Sequence, residues 1–321
     1  MLQLIFPVIN INKVKTYSVK ARYSKVGRGD FAQAPQAKKS FAGFYQSLPN
    51  ILKAKEIRKV VEGVCRAHKK KKAVIFMAGA HVIKCGLSPV VIELIKRRII
   101  TCIALNGAGI IHDFEIALLG RTSEDVGRGL RQGRFGMARE TADFLNQAVQ
   151  LGVRQGLGLG NSVAQKISVA KLRHKDLSIL YQAYRNRVGI CVFVAIGTDI
   201  IHQHPSFDAA LTGEGSWRDF QLLAENICAL NNGGVVLNFG SAVILPEVFV
   251  KALNLARNLA NPVKGFLAAN FDMLYHYRPL QNIVTRPVEE GGEGYYIIGH
   301  HEIMLPLLAQ AIIERLSRHT L

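Results

Sequence analysis

A chain of 321 residues, 49% hydrophobic and 20% charged, carries enough apolar side chain for one large α/β domain or two smaller ones and is not a disordered polypeptide. Its net charge is +18, but 17 of the 41 Lys and Arg and only three acids (Asp30, Glu56 and Glu62) lie in residues 1–72, which leaves the rest close to neutral. No apolar run approaches the ~20 residues that span a bilayer, MLQLIFPVI lacks a basic leader region and a cleavage site, and the five cysteines (65, 85, 102, 191, 228) are unclustered, so the chain reads as cytoplasmic with buried thiols.

Residues 1–40 contain Gly27, Gly29 and Pro35 and no sustained period; they read as a basic N-terminal arm, with the body running over 41–321. Ile57, Val60, Val61 and Val64 recur at helical spacing and predict an amphipathic helix that ends in the basic tract Lys69–Lys72. That tract reads as a solvated helix end, and the alternative is contact with nucleic acid or an acidic partner. Aromatic residues are sparse beside it, which removes a stacking platform for single strands.

AVIFMA (73–78) predicts the first strand, and Ser88-Pro89 the start of a helix, with Ser88 as N-cap. IITCIAL (99–105) predicts the second strand, followed by the loop NGAGII and the helix HDFEIALL. In the polar stretch 122–141, TSED reads as a helix start, and Arg128, Arg131 and Arg134 are either anion ligands or surface charge. GLGLGNS (156–162) reads as a lid or a phosphate cradle, although no Lys-Ser/Thr follows to make it a P-loop. GICVFVAI (189–196), GGVVLNF (233–239), VKGFLAA (263–269) and YYII (295–298) predict further strands, with helices over 138–150, 176–187, 217–230, 246–259 and 303–316. Continuous apolar strands alternating with helices mean an α/β fold: a Rossmann-like parallel sheet with helices on both faces.

In such a sheet ligands bind outside the carboxyl ends of the strands. The segments there read GAHVIKCGLS, NGAGIIHD, GTDIIHQH, NFGSA, ANFDMLYHYRP and GHHE, and they hold seven of the ten histidines: 81, 112, 202, 204, 276, 300 and 301. This concentration predicts one polar site. Lys84 stands at the mouth of the first segment, as an anion ligand, a displaced Schiff-base lysine or a surface cation. Cys85 beside it is a reactive thiol of lowered pKa or a structural one.

Taken in order, GLSPVVIELIKRRIITCIALNGAGIIHDFEIAL (86–118), GTD (197–199), GGVVLNFG (233–240), ANFD (269–272) with Arg278-Pro279, and PLLAQAI (306–312) resemble the deoxyhypusine synthase family. The resemblance implies a Rossmann-like sheet, NAD held at the strand ends and a homotetramer with sites shared across a dimer interface. It assigns Ser88, Asn106, Gly107, Gly109, Asp199, Gly240 and Asp272 to the cofactor, and Asp113 also matches a cofactor loop. The family's chemistry uses a lysine shortly after the Arg-Pro pair to form an imine, and this chain has Arg286 near that position and no lysine after Lys264. A guanidinium stays protonated and forms no imine. Carboxylates that the family uses to hold a polyamine fall at His112, near His204 and at His300, and its Lys-His-His falls on Val243, Ile244 and Leu245.

Standard deoxyhypusine synthesis is therefore excluded as an expectation. The first expectation is NAD-dependent oxidation or transfer on a small polar or anionic substrate, with His112, Asp113, Asp199, His204 and Lys84 at the catalytic centre. A metal-dependent hydrolase built on the His/Asp loops (His112-Asp113, Asp199 with His202 and His204, Asp272 with His276, His300-His301-Glu302) is the second. A non-catalytic binding or assembly protein with a basic arm is the third.

Overall fold

The computed structural model describes residues 9–317. The chain divides into two compact units, Met1–Ala54 and Lys55–Leu321. In the first, three short 3-10 turns (Ile11–Lys13, Val19–Ala21 and Arg28–Asp30) precede helix α1 (Phe41–Ser47), whose N-cap is Ser40. The carbonyls of Asp30 and Ser47 accept from the amides of Asn50 and Gln33. Residues 41–54, assigned to the body from the sequence, lie in this unit.

Helix α2 (Leu52–Lys69) leads into the second unit and buries the expected stripe of Ile57, Val60, Val61 and Val64. Among the described residues six strands follow: β1 (Val74–Ala78), β2 (Cys102–Asn106), β3 (Gly189–Phe193), β4 (Val235–Phe239), β5 (Leu267–Asp272) and β6 (Glu293–Ile298). All pairings are parallel, in the order β3-β2-β1-β4-β5-β6. β1 through β5 are buried almost throughout because helices cover both faces of the sheet. This is the α/β Rossmann-like fold that the sequence predicts.

The connecting helices are α3 (His81–Lys84), α4 (Ser88–Lys96), α5 (Gly107–Leu119), α6 (Val126–Arg131), α7 (Arg139–Arg154), α8 (Leu159–Val169), α9 (Ile179–Arg185), α10 (Ala209–Cys228), α11 (Ile244–Asn258), the single turn α12 (Tyr277–Pro279) and α13 (His301–Ser317). One face of the sheet packs Ile75, Met77, Cys191, Phe193 and Val236 against Phe249, Phe266 and Leu223. On the other, Phe76, Phe239 and Phe271 stack across β1, β4 and β5 with ring centroids 5.3 and 4.4 Å apart. Each such ring, fully withdrawn from water, is worth about 2–3 kcal/mol. No helix among the described residues is long and apolar enough to cross a membrane.

Three local expectations change. β2 starts at Cys102, so Ile99 and Ile100 are buried but lie outside the ladder. NGAG is no loop: Asn106 caps α5 by accepting from the Gly109 amide at 3.0 Å, and Gly107 opens the helix. Ser88 is the first helical residue of α4 rather than its cap, and its hydroxyl makes no capping bond.

Candidate functional site at the carboxyl ends of the strands

The strand order reverses between β1 and β4, and their carboxyl ends bound the crevice where such sheets bind ligands. Here the two loops touch. The Gly79 amide donates to the Phe239 carbonyl at 2.9 Å, and a Cβ on Gly79 would stand 2.3 Å from the Gly240 carbonyl oxygen. Gly240 has φ +65°, and a Cβ there would meet Nε2 of His301 at 2.5 Å. His301 is 1% exposed, packs edge-on to His81 and Phe239, and leaves Nδ1 without a hydrogen-bond partner. Burial holds its pKa below the ordinary histidine value, opposed by the nearby Asp272. Asp272 accepts from the Leu274 amide and lies 3.7 Å from Nε2 of His276.

On the other side of the reversal, β2 and β3 build a second cluster. A Cβ on Gly107 would fall 1.9 Å from Oδ2 of Asp199, so the carboxylate lies directly against the first turn of α5 and requires glycine there. Burial raises the Asp199 pKa to about 6. The helix amino end carries the partial positive charge that favours an anion at this point. Nδ1 of His202 accepts from the amides of Gly197 (3.1 Å) and Asp199 (3.2 Å). Its proton therefore sits on Nε2, which is buried, unpartnered and 3.9 Å from Oδ2 of Asp199. Burial lowers the His202 pKa, so the ring is a neutral N–H donor.

His112 stands farther along α5, more than one turn from Gly107. Thr122 donates its only hydroxyl proton to Glu115, and Nδ1 of His112 lies 2.6 Å from the Thr122 oxygen. His112 must then donate from Nδ1, which leaves Nε2 as a free proton acceptor. Thr141 donates to the other Glu115 oxygen at 3.2 Å. Burial lowers the His112 pKa, Glu115 opposes this, and the charge of Lys84 adds to it. A neutral, oriented imidazole with a backing carboxylate is the arrangement of a general base. The relay through Thr122 to Glu115 was not read from the sequence. The spacing of Glu115 one turn from His112 carried part of the signal.

Other expected site residues have different work. Asp113 is fully buried and accepts from the Ser178 hydroxyl and from the Ile179 and Leu180 amides, closing the start of α9. Burial raises its pKa to about 6, and those three hydrogen bonds oppose the shift. It is a structural cap, which corrects its assignment to the catalytic pocket. Nε2 of His204 bonds the Gly136 carbonyl at 2.8 Å and ties the 199–204 turn to the loop before α7. Asn106 serves as the α5 cap, with Gly109 as its donor. Lys84 is exposed at the end of α3. The Cys85 thiol is pushed up by burial and by Glu302, which removes the reactive-thiolate reading. Ser88, 2% exposed, has an unpartnered hydroxyl at the start of α4.

GLGLGNS forms no lid. Gly158 caps α8, and the buried carboxylate of Asp219 accepts from the Gly160 and Val192 amides at 2.9 and 2.8 Å. The glycine-rich turn does cradle an acidic group, the Asp219 carboxyl of the chain itself, whose pKa burial raises to about 7. Asp125 caps α6 through the Arg128 amide, while Arg128, Arg131 and Arg134 are exposed.

Arg286 borders a recess of about 340 Å³ with Tyr277, Arg278 and Glu247. Its guanidinium donates to Asn282 Oδ1 and the Tyr277 hydroxyl at 3.2 and 3.4 Å. Among the described residues no three His, Cys, Asp or Glu side chains are placed to hold a metal ion, so the hydrolase reading lacks its ligand set. His112, His202, His204 and His276 instead contact Thr122, the Gly197 amide, the Gly136 carbonyl and Asp272 separately, and His300 is exposed beside Glu302.

No family model and no curated protein matches the chain. Solved structures share its fold. A conserved putative LOR/SDH protein from Methanococcus maripaludis S2 aligns at TM-score 0.53 and 15% identity over 92% of this chain and 75% of its own. A putative deoxyhypusine synthase from Entamoeba histolytica aligns at TM-score 0.52 and 9% identity over 86% of this chain and 94% of its own. Unliganded AgrE gives 0.51 and 16% over 81% of this chain. The chain spans only about a third of the length of AgrE and of ArgZ, an arginine dihydrolase of cyanobacteria (32% and 34%). At these identities the likeness is one of fold.

Proposed function

We propose that the chain is an NAD-binding enzyme that oxidises a small polar or anionic substrate at the carboxyl ends of β1–β5. The observation that carries this reading is the strand order β3-β2-β1-β4-β5-β6, which puts a topological switch point between β1 and β4. Three orphaned buried polar atoms, Ser88 Oγ, His202 Nε2 and His301 Nδ1, follow β1, β3 and β6. An unsatisfied buried polar atom costs about 1–3 kcal/mol, and such atoms in native structures call for a partner. A dinucleotide fits that set. Asp199 would accept ribose hydroxyls, His202 Nε2–H would donate to an acceptor beside them, Ser88 would bond the part next to β1, and His301 the half on the far side of the switch point. The clusters flank β2/β3 and β4/β5, three strand spacings or roughly 14 Å apart.

Bound NAD supplies a hydride acceptor. His112 Nε2 takes the proton released from the substrate, with Glu115 and Thr122 fixing its tautomer and Lys84 offering a cation for an anionic group. The lysine-free segment after β5 sets this chemistry apart from imine formation.

The reading is tested by thermal unfolding of the full chain with NAD⁺. At 100 times its Kd a ligand adds about 2.7 kcal/mol, a shift of several degrees for a body of this size. A midpoint unmoved by millimolar NAD⁺, NADH, NADP⁺ and NADPH rejects it.

A further inference from the structure

At the opposite end of the sheet, below the amino ends of β1 and β2, a recess of about 910 Å³ lies between the last turns of α2, α4 and α13. Its rim carries Lys69, Lys71, Lys72, Arg97 and Arg98. Arg97 is paired with Glu93 at 2.6 Å. Among the described residues none of the other four has a carboxylate within ion-pair distance, and the nearby Glu62 is held by Arg315. Three helix carboxyl ends contribute about half a negative charge each. Four unpaired cations exceed that by about two to three charges, so helix-end compensation leaves most of the cluster unexplained. The two turns that carry the cations are tied together by Nδ1 of His68 on the Arg98 carbonyl at 3.2 Å.

We propose that this recess is a second binding site, for a compact and multiply charged phosphate anion. The four unpaired cations ring one concavity instead of tracking along a surface, which suits a di- or triphosphate group better than an extended nucleic-acid backbone. Among the described residues no Phe, Tyr or Trp lines it, and its one aromatic ring, His68, is tied to the Arg98 carbonyl, so bases would find little stacking surface. Ile99, Ile313 and Leu316 give it an apolar wall against which a carbon skeleton can lie. The site is separate from the crevice at the carboxyl ends and does not depend on the NAD reading.

The probe is inorganic tripolyphosphate, titrated calorimetrically into the full chain at two salt concentrations. Saturable binding that weakens with salt is expected. The decisive variant is Lys71→Gly with Arg98→Gly. Both residues have left-handed backbone (φ 53° and 55°), so glycine removes two cations at positions whose conformation it adopts freely. The variant is expected to melt no lower than the wild type, to lose at least tenfold in tripolyphosphate affinity, and to leave any NAD⁺ response unchanged. Absence of tripolyphosphate binding, or equal affinity in the variant, overturns the proposal. Tighter binding of a single-stranded oligonucleotide than of tripolyphosphate at equal phosphate concentration, lost in the same variant, overturns it in favour of a nucleic-acid surface.

Discussion

Asp199→Asn is expected to stabilise the protein and weaken NAD⁺ binding at once. The wild-type carboxyl is raised from 3.8 to about 6 by burial. Because the folded pKa lies above the unfolded one, the native state binds the extra proton between the two values, and stability falls as pH rises through that window. Above pH 7 the charged form disfavours folding by up to about 3 kcal/mol, at about 1.4 kcal/mol per unit. Asparagine removes that charge, so the variant should melt about 5 °C higher at pH 7.5. The difference should shrink to roughly half near pH 5 and to roughly a fifth near pH 4. Dinucleotide affinity should drop tenfold or more, about 1.4 kcal/mol, as one of the two ribose-accepting oxygens and the charge are replaced by an N–H donor. Melting curves from pH 4 to 8 with a parallel NAD⁺ titration check both halves. A variant less stable than wild type at pH 7.5 contradicts an Asp199 carboxyl whose pKa is raised by burial against Gly107.

Asp113→Ala should do the opposite, although burial raises both carboxyls in the same direction. Asp113 accepts from three donors of the α9 start, at 2.5, 2.6 and 3.3 Å. Alanine leaves the Ser178 hydroxyl and the Ile179 and Leu180 amides buried without an acceptor and opens a void in a fully buried position. At about 1–3 kcal/mol per orphaned donor, partly offset by relief of the buried charge, the net loss is about 3 kcal/mol. Asp113→Asn keeps one acceptor and relieves the charge, so it should lie near the wild type. Denaturant unfolding of the two variants separates the cases. Equal destabilisation by both would mean that the charge of Asp113, rather than its role as acceptor, holds α9.

The sheet was legible because strands buried on both faces must be apolar at every position, as VIFMA and CIALN are. Helix α5 was not legible at its start. Gly107 and Gly109 argue against a helix by propensity, and the reasons for glycine there lie elsewhere. Gly107 makes room for the Asp199 carboxylate, and a Cβ on Gly109 would crowd Leu105 Cβ at 3.2 Å and the capping Asn106 Oδ1 at 3.3 Å. The same gap misplaced Asp113 and GLGLGNS. In both cases a helix amino end is matched with a carboxylate far away in sequence, and only the folded chain pairs them. His112, Asp199 and Gly240 were singled out because they lie in the segments after β2, β3 and β4. The Thr122–Glu115 relay behind His112 needed the return of the chain after α5 to appear.

Hydrogen–deuterium exchange of the full chain with and without NAD⁺ tests the central claim most directly, because it locates the ligand as well as detecting it. Protection is expected over residues 107–111 and 197–204, with a second protected patch around residues 79–88 and 240–244. Exchange that is unchanged at the carboxyl ends of the strands under saturating NAD⁺, or protection confined to residues 68–72 and 97–101 at the amino ends, would contradict it.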